Sequence, residues 1–295
     1  DLLLASCNSQ DLRILEGDGS GNFNPGFVFF SPCPGAVETG DLDGDGIVDI
    51  ALASFEGITP LLGLGDGDFA PGLLFSSGGS QFGFGFWDAD DDLDLDLFSL
   101  ILDSDGLTQS ATFLTLLAGK GDGTFEGPCS YAAGQQSRSL VVGDFVRDGV
   151  PDLAVLDERQ TVSILGGVGN GSFLAPITTS LAGNPNALAS SDLDGNTLED
   201  LVVTLDGFPS GELAFLSSTG TGSFDPPFTF PAGGIGPHTI RVADLDSDNP
   251  PDLVVSNINW NQIAVHLGRP GGFSKPMRFG VGSFPLELEL RDLDR

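Results

Sequence analysis

Short apolar runs bounded by Gly, Asp, Asn or Pro recur along the 295-residue chain, as in SLVVGD (139–144), DLAVLD (152–157) and TVSILGG (161–167). They are rich in Val, Leu, Ile and Phe and have the length of strands. Their spacing never settles into the three-to-four-residue rhythm of an amphipathic helix. Each pair of runs is joined by a turn signal, so the pattern predicts antiparallel hairpins and an all-β chain.

The runs are ordered by a larger period. The acidic stretch DLDGDGIVD at 41–49 returns as DADDDLDLD at 88–96, DFVRDGVPD at 144–152, DLDGNTLED at 192–200 and DLDSDNPPD at 244–252, with a truncated DLD at 292–294. Its first aspartates stand 47, 56, 48, 52 and 48 residues apart. Each period holds four strands: one before the acidic loop, one after it, a third, and an outer one beyond a G-x-F turn. Four-stranded units of roughly 40–50 residues are the blades of a β-propeller. The expectation is one propeller domain over 1–295, with blades at about 35–80, 81–135, 136–184, 185–235 and 236–284. DLLLAS at the start matches the strand after the loop, and LELELRDLDR at the end matches the strand before it. Residues 1–30 and 285–295 therefore make a split sixth blade, and the same pattern also fits a window of a seven-bladed or longer array.

The loops carry the candidate chemistry. Ca²⁺ takes six to eight oxygen ligands, and carboxylates at positions 1, 3 and 5 of a tight loop can wrap it while position 7 offers a backbone carbonyl. Here a further Asp stands at position 9. The predicted sets are Asp41, Asp43, Asp45, Ile47 and Asp49; Asp88, Asp90, Asp92, Asp94 and Asp96; Asp192, Asp194, Asn196, Leu198 and Asp200; and Asp244, Asp246, Asp248, Pro250 and Asp252. The copy with Asp144, Asp148 and Asp152 has Val146 at position 3 and Arg147 beside it, so weak or absent metal is expected there. Asp292, Asp294 and Asp1 form an incomplete set. Turn chemistry alone accounts poorly for four such spacings, because unneutralised carboxylates repel one another. About four structural ions are expected, with five or six as the upper count.

Together with segments such as VSILGGVGNGSFLAPI (162–177), LLGLGDGDFAPG (61–72) and LLAGKGDGTFEGP (116–128), the acidic loops resemble the FG-GAP/VCBS repeats of integrin α-subunit-like β-propellers. The resemblance spans essentially the whole chain. It implies Ca²⁺ loops on one face and ligand-contacting loops on the other, in an extracellular adhesion or ligand-binding module. The alternatives are a lectin, or a propeller domain of a secreted polysaccharide-degrading enzyme. Trp260 and Phe208, in loops opposite the acidic ones, are candidate platforms for a protein or glycan ligand. The Phe of each G-x-F turn (Phe23, Phe69, Phe125, Phe173, Phe224 and Phe273) is expected to pack between blades.

Composition narrows the partners. Eleven basic against 42 acidic residues give a net charge of −31, which excludes the cationic clusters that bind nucleic acid. No apolar run approaches the length of a membrane span. The cysteines are odd in number; Cys7 and Cys33 fall on one face by strand order, as a disulfide or as two thiols, leaving Cys129 over. His238 and His266 have no Ser or Cys arrangement around them, and no carboxylate pair stands apart from the metal loops. The chain is therefore expected to be a non-enzymatic, exported, monomeric module.

Overall fold

The computed structural model describes residues 2–17, 23–34, 36–54, 56–65, 67–76, 80–103, 111–127, 129–135, 137–207, 209–248, 250–285, 288 and 290. Among them every regular element is a strand, and every sheet is antiparallel with strands in chain order. The chain divides into two compact units, one of residues 1–136 with 169–172, the other of residues 137–168 with 173–295.

The first unit holds a three-stranded sheet (Leu2–Ser6, Asp11–Gly17, Phe23–Phe30) and two four-stranded ones. These are Ala36–Gly40, Asp49–Ser54, Gly57–Gly63 and Phe69–Pro71, then Ser80–Trp87, Asp96–Asp103, Ala111–Leu117 and Cys129–Gln135. Its core is built from Leu12, Ile14, Ile50, Leu52 and Leu61, and from Ala51, Ala53, Ile58, Phe84, Leu97 and Leu117. Cys7 and Cys33 form a disulfide between the turn after the first strand and the segment after the third, while Cys129 is free and exposed. The strand expected to complete this first sheet, at 285–292, lies largely outside the described residues.

The second unit holds three four-stranded sheets. They are Ser137–Gly143, Asp152–Asp157, Thr161–Leu165 and Ile177–Ser180; Asn184–Ser191, Asp200–Asp206, Glu212–Leu216 and Phe228–Pro231; and Pro237–Ala243, Asp252–Asn257, Gln262–His266 and Met277–Gly280. A two-stranded ribbon, Gly268–Arg269 with Gly272–Phe273, stands in the hairpin of the last. Phe145, Leu156, Ile164, Leu188, Leu201, Val203 and Leu216 form one core cluster; Val202, Leu213, Ile240, Leu253 and Val255 belong to another.

Position within the sheet explains the sequence pattern. The second strands DIALAS, DLAVLD and DLVVSN are buried at every residue, which is why they read as continuous apolar runs rather than alternations. The outermost strands Ile177–Ser180, Phe228–Pro231 and Met277–Gly280 hold no buried residue, and the last is exposed throughout. Phe69, Phe125, Phe224 and Phe273 pack half-buried against the core clusters, as expected of the G-x-F turns. The turns are also latched by backbone: Gly123 N donates to Leu42 O at 3.0 Å, and Gly222 N to Phe145 O at 3.0 Å. Each of these bonds ties a hairpin to the acidic loop of the preceding sheet, the first within the first unit and the second within the second.

Candidate metal centre

The ninth residue of each of the five loops whose ninth residue is described is a buried staple. Asp49, Asp96, Asp152, Asp200 and Asp252 are at most 1% exposed, and both carboxylate oxygens of each accept backbone amides. One amide comes from position 2 of the same loop: Leu42 to Asp49 at 2.6 Å, Ala89 to Asp96 at 2.7 Å, Val146 (here position 3) to Asp152 at 2.8 Å, Leu193 to Asp200 at 3.0 Å and Leu245 to Asp252 at 2.8 Å. The other comes from the residue that leaves the third strand: Gly63, Gly119, Gly167, Ser218 and Gly268, at 2.7–2.8 Å. Each of these carboxylates thus ties the acidic loop to the end of the third strand. The set includes Asp152, in the loop whose third position lacks an oxygen.

Above the staple, the loops coil tightly. Position 5 accepts the amide of position 7 in four of them: Asp45 from Ile47 at 2.7 Å, Asp92 from Asp94 at 2.9 Å, Asp148 from Val150 at 2.9 Å and Asn196 from Leu198 at 2.7 Å. Positions 4 and 6 are left-handed, with φ of 73° and 82° at Gly44 and Gly46. The same conformation is imposed on side-chain-bearing residues elsewhere, at Asp91 and Leu93, Arg147, Thr197 and Ser247 (φ 58–76°). Non-Gly residues occupy this region at an energetic cost, so the coil is set by the hydrogen bonds and carboxylates around it.

This coil gathers acidic oxygens. Ligand-type atoms lie within 4.8 Å of one another in four triads: Asp41, Asp43 and Asp45; Asp88, Asp90 and Asp96; Asp192, Asp194 and Asp200; and Asp244, Asp246 and Asp248. Asp49, Asp92 and Asp252 stand outside these triads. Asn196 uses Oδ1 on Leu198 N, and Ile47, Asp94, Leu198 and Pro250 hold position 7. The Asp144, Asp148 and Asp152 loop forms no such triad, and Asp1, Asp292 and Asp294 lie outside the described residues.

The first two triads fit a hard cation. Asp41 Oδ1 and Asp90 Oδ1 are buried without a hydrogen-bond partner, in a donor set made only of oxygen. Burial, reinforced by neighbouring carboxylates, raises the carboxyls of Asp43 and Asp90. Burial pushes Asp200 up to about 6 despite its two amides, and like charge from Asp194 and Asp192 adds to the rise. Oxygens that resist carrying charge next to one another are what a divalent cation relieves.

Two features escaped the sequence pattern. Arg269 reaches into the fifth loop, with Nη1 2.5 Å from Asp248 Oδ2 and Nη2 3.4 Å from Asp246 Oδ2. The staple at position 9 is the other, although its presence in the oxygen-poor loop at 144–152 was a legible sign. On the opposite loops, Trp260 is 49% exposed, with the Arg278 guanidinium 5.9 Å from its ring centroid. Phe208 lies outside the described residues. His266 is buried against Phe230, which lowers its pKa through desolvation, and reads as packing.

Residues 192–255 match the FG-GAP-like repeat model. No curated protein matches the chain significantly in sequence. In structure the chain is similar to a putative 6-phosphogluconolactonase of Bacteroides uniformis (TM-score 0.65, 15% identity, covering 96% of this chain and 82% of that one). It is also similar to the periplasmic gluconolactonase PpgL of Pseudomonas aeruginosa (0.62, 20%, 93% and 78%). A lectin of Agrocybe aegerita that recognises non-reducing terminal N-acetylglucosamine is a third (0.57, 18%, 94% and 79%). These likenesses establish the β-propeller fold. They also correct the expectation of a non-enzyme: lactonases share this fold, so a chain without a recognisable nucleophile pattern is not thereby non-catalytic. No helix among the described residues is long and apolar enough to cross a membrane.

Proposed function

We propose that this FG-GAP repeat β-propeller is an exported module that Ca²⁺ stabilises and that binds a glycan or protein ligand through the loops opposite its acidic ones. The observation that carries the reading is that four of the five acidic loops gather three carboxylates, always including positions 1 and 3 and completed by position 5 or position 9. Asp41, Asp43 and Asp45 hold the ion in the first acidic loop, Asp88, Asp90 and Asp96 in the second, and Asp192, Asp194 and Asp200 in the fourth. When bound, the ion neutralises carboxylates that otherwise repel and fixes the hairpin between the first two strands of the blade. The chain's own contribution is the coil with left-handed positions 4 and 6 and the amide-clamped Asp beneath it, which hold the acidic side chains together.

A calcium-rich compartment suits such loops, and a strongly acidic surface keeps an exported protein apart from nucleic acid. A glycan ligand is supported by Trp260, an exposed ring flanked by Asn259, Asn261 and Gln262, since sugars present apolar faces to aromatic rings and hydroxyls to amides. The likeness to a fold that includes an N-acetylglucosamine-binding lectin is compatible with this. A glycan array probed with the Ca²⁺-loaded protein tests the reading. Trp260→Ala should weaken a captured glycan about tenfold, the worth of roughly 1.4 kcal/mol of lost stacking and burial. Glycan binding unchanged by the substitution would remove Trp260 from the ligand surface.

A further inference from the structure

We propose that Arg269 is a tethered cation that takes the place of the metal ion in the fifth acidic loop, so that the loop at 244–252 is closed by an ion pair while three other loops carry Ca²⁺. The inference rests on the calcium reading of those three loops.

The fifth loop keeps a carboxylate triad and the clamped Asp252 but differs from the others at positions 5 and 7. In the other four, the side chain at position 5 is held by the amide of position 7. Pro250 has no amide hydrogen, and Asp248 turns instead to the Arg269 guanidinium at 2.5 Å. Asp246 lies 3.4 Å from both terminal nitrogens of the same group. The position-7 carbonyl is also displaced toward the third strand. A Cβ built on Gly268 would meet Pro250 O and Pro251 O at 2.5 Å each, whereas at Gly63 and Gly119 only the position-8 carbonyl, of Val48 or Leu95, comes that close. A planar guanidinium with several fixed donors can satisfy two carboxylates at once, which suits it to the space between Asp246 and Asp248.

The hairpin is built to deliver this side chain. Arg269 directly follows Gly268, whose amide clamps Asp252, and the equivalent residues elsewhere are Leu64, Lys120, Val168 and Thr219. In the fifth blade the turn is one residue shorter, Pro270 and Gly271 close it, and Arg269 pairs with Gly272 in a ribbon of its own. Lys120, the other cation at this place, makes a 2.8 Å pair with Glu126 and leaves the second triad to itself. The chain thus contains its own control.

The test is Ca²⁺ stoichiometry by isothermal titration of the chelator-treated full chain, with unfolding temperature followed in parallel. The wild type is expected to bind three ions, Arg269→Gln four, and Lys120→Gln three. The doubly substituted Asp246→Asn, Asp248→Asn chain is expected to keep three, which decides the matter should Arg269→Gln fail to fold. Four ions on the wild type, falling to three in the double variant, would overturn the role of Arg269 and leave the calcium reading standing. No ion on the wild type or on Arg269→Gln would overturn the calcium reading itself.

Discussion

Replacing Asp152 by Ala isolates the staple from the metal, because its loop has Val146 where an oxygen ligand belongs. The substitution strips an acceptor from two backbone amides, Val146 N and Gly167 N, each 2.8 Å from a carboxylate that is fully buried. A hydrogen bond to a charged acceptor contributes about 1.5–3 kcal/mol, and a buried donor left unpaired costs about 1–3 kcal/mol. Burial raises the Asp152 carboxyl, so removing it returns part of a desolvation cost and places the net loss at about 3 kcal/mol. In a cooperative unit of roughly 150 residues that corresponds to a fall of about 6–12 °C in unfolding temperature. Urea and thermal unfolding followed by circular dichroism, in EDTA and again in excess Ca²⁺, measures it. The fall is expected to be equal in both. A loss below about 1 kcal/mol, or one seen only with Ca²⁺, would refute the staple as a metal-independent part of the fold.

Asp43→Asn behaves in the opposite way: stability in EDTA is unchanged or improved by the relief of repulsion, while Ca²⁺ affinity at that loop falls at least tenfold, about 1.4 kcal/mol, in a calorimetric titration. Acid response is the third expectation. The carboxyl of Asp200 is raised to about 6 in the folded chain, so its contribution to stability is complete below the unfolded value near 3.8 and is lost as pH rises through about 6. The chelated protein therefore melts at a lower temperature at pH 7 than at pH 4.5, and excess Ca²⁺, which favours the ionised form, reverses the slope; a Ca²⁺-independent profile would count against Asp200 as part of a triad.

Much of this architecture was written in the chain. DIALAS and DLAVLD read as buried strands because they are buried on both faces, and the repeat of the acidic loop marked each blade before any contact was known. The recurring aspartates marked where acidic side chains gather, but not which three meet: Asp41, Asp43 and Asp45 do so in the first loop, Asp88, Asp90 and Asp96 in the second. The sharing of labour inside the loop was not legible either. A nine-residue pattern treats Asp49 and Asp41 alike, yet one is clamped by amides from two segments and the other presents an unpaired oxygen, a difference that depends on Gly63, 14 residues further on. Arg269 was hidden for the same reason: it is 21 residues from Asp248 in sequence. Catalysis was misjudged because the absence of a familiar nucleophile spacing says little about a fold that places its chemistry on loops from many blades.

The central claim is that the acidic loops hold Ca²⁺ and that the fold depends on it, and a Ca²⁺ titration of the chelated protein with unfolding recorded at each step tests it most directly. Saturation at three ions per chain, with a rise in unfolding temperature that tracks occupancy, is the predicted result. Unchanged unfolding across the titration, with no heat of binding, would contradict it and leave the acidic loops as turns held by their amide-clamped aspartates alone.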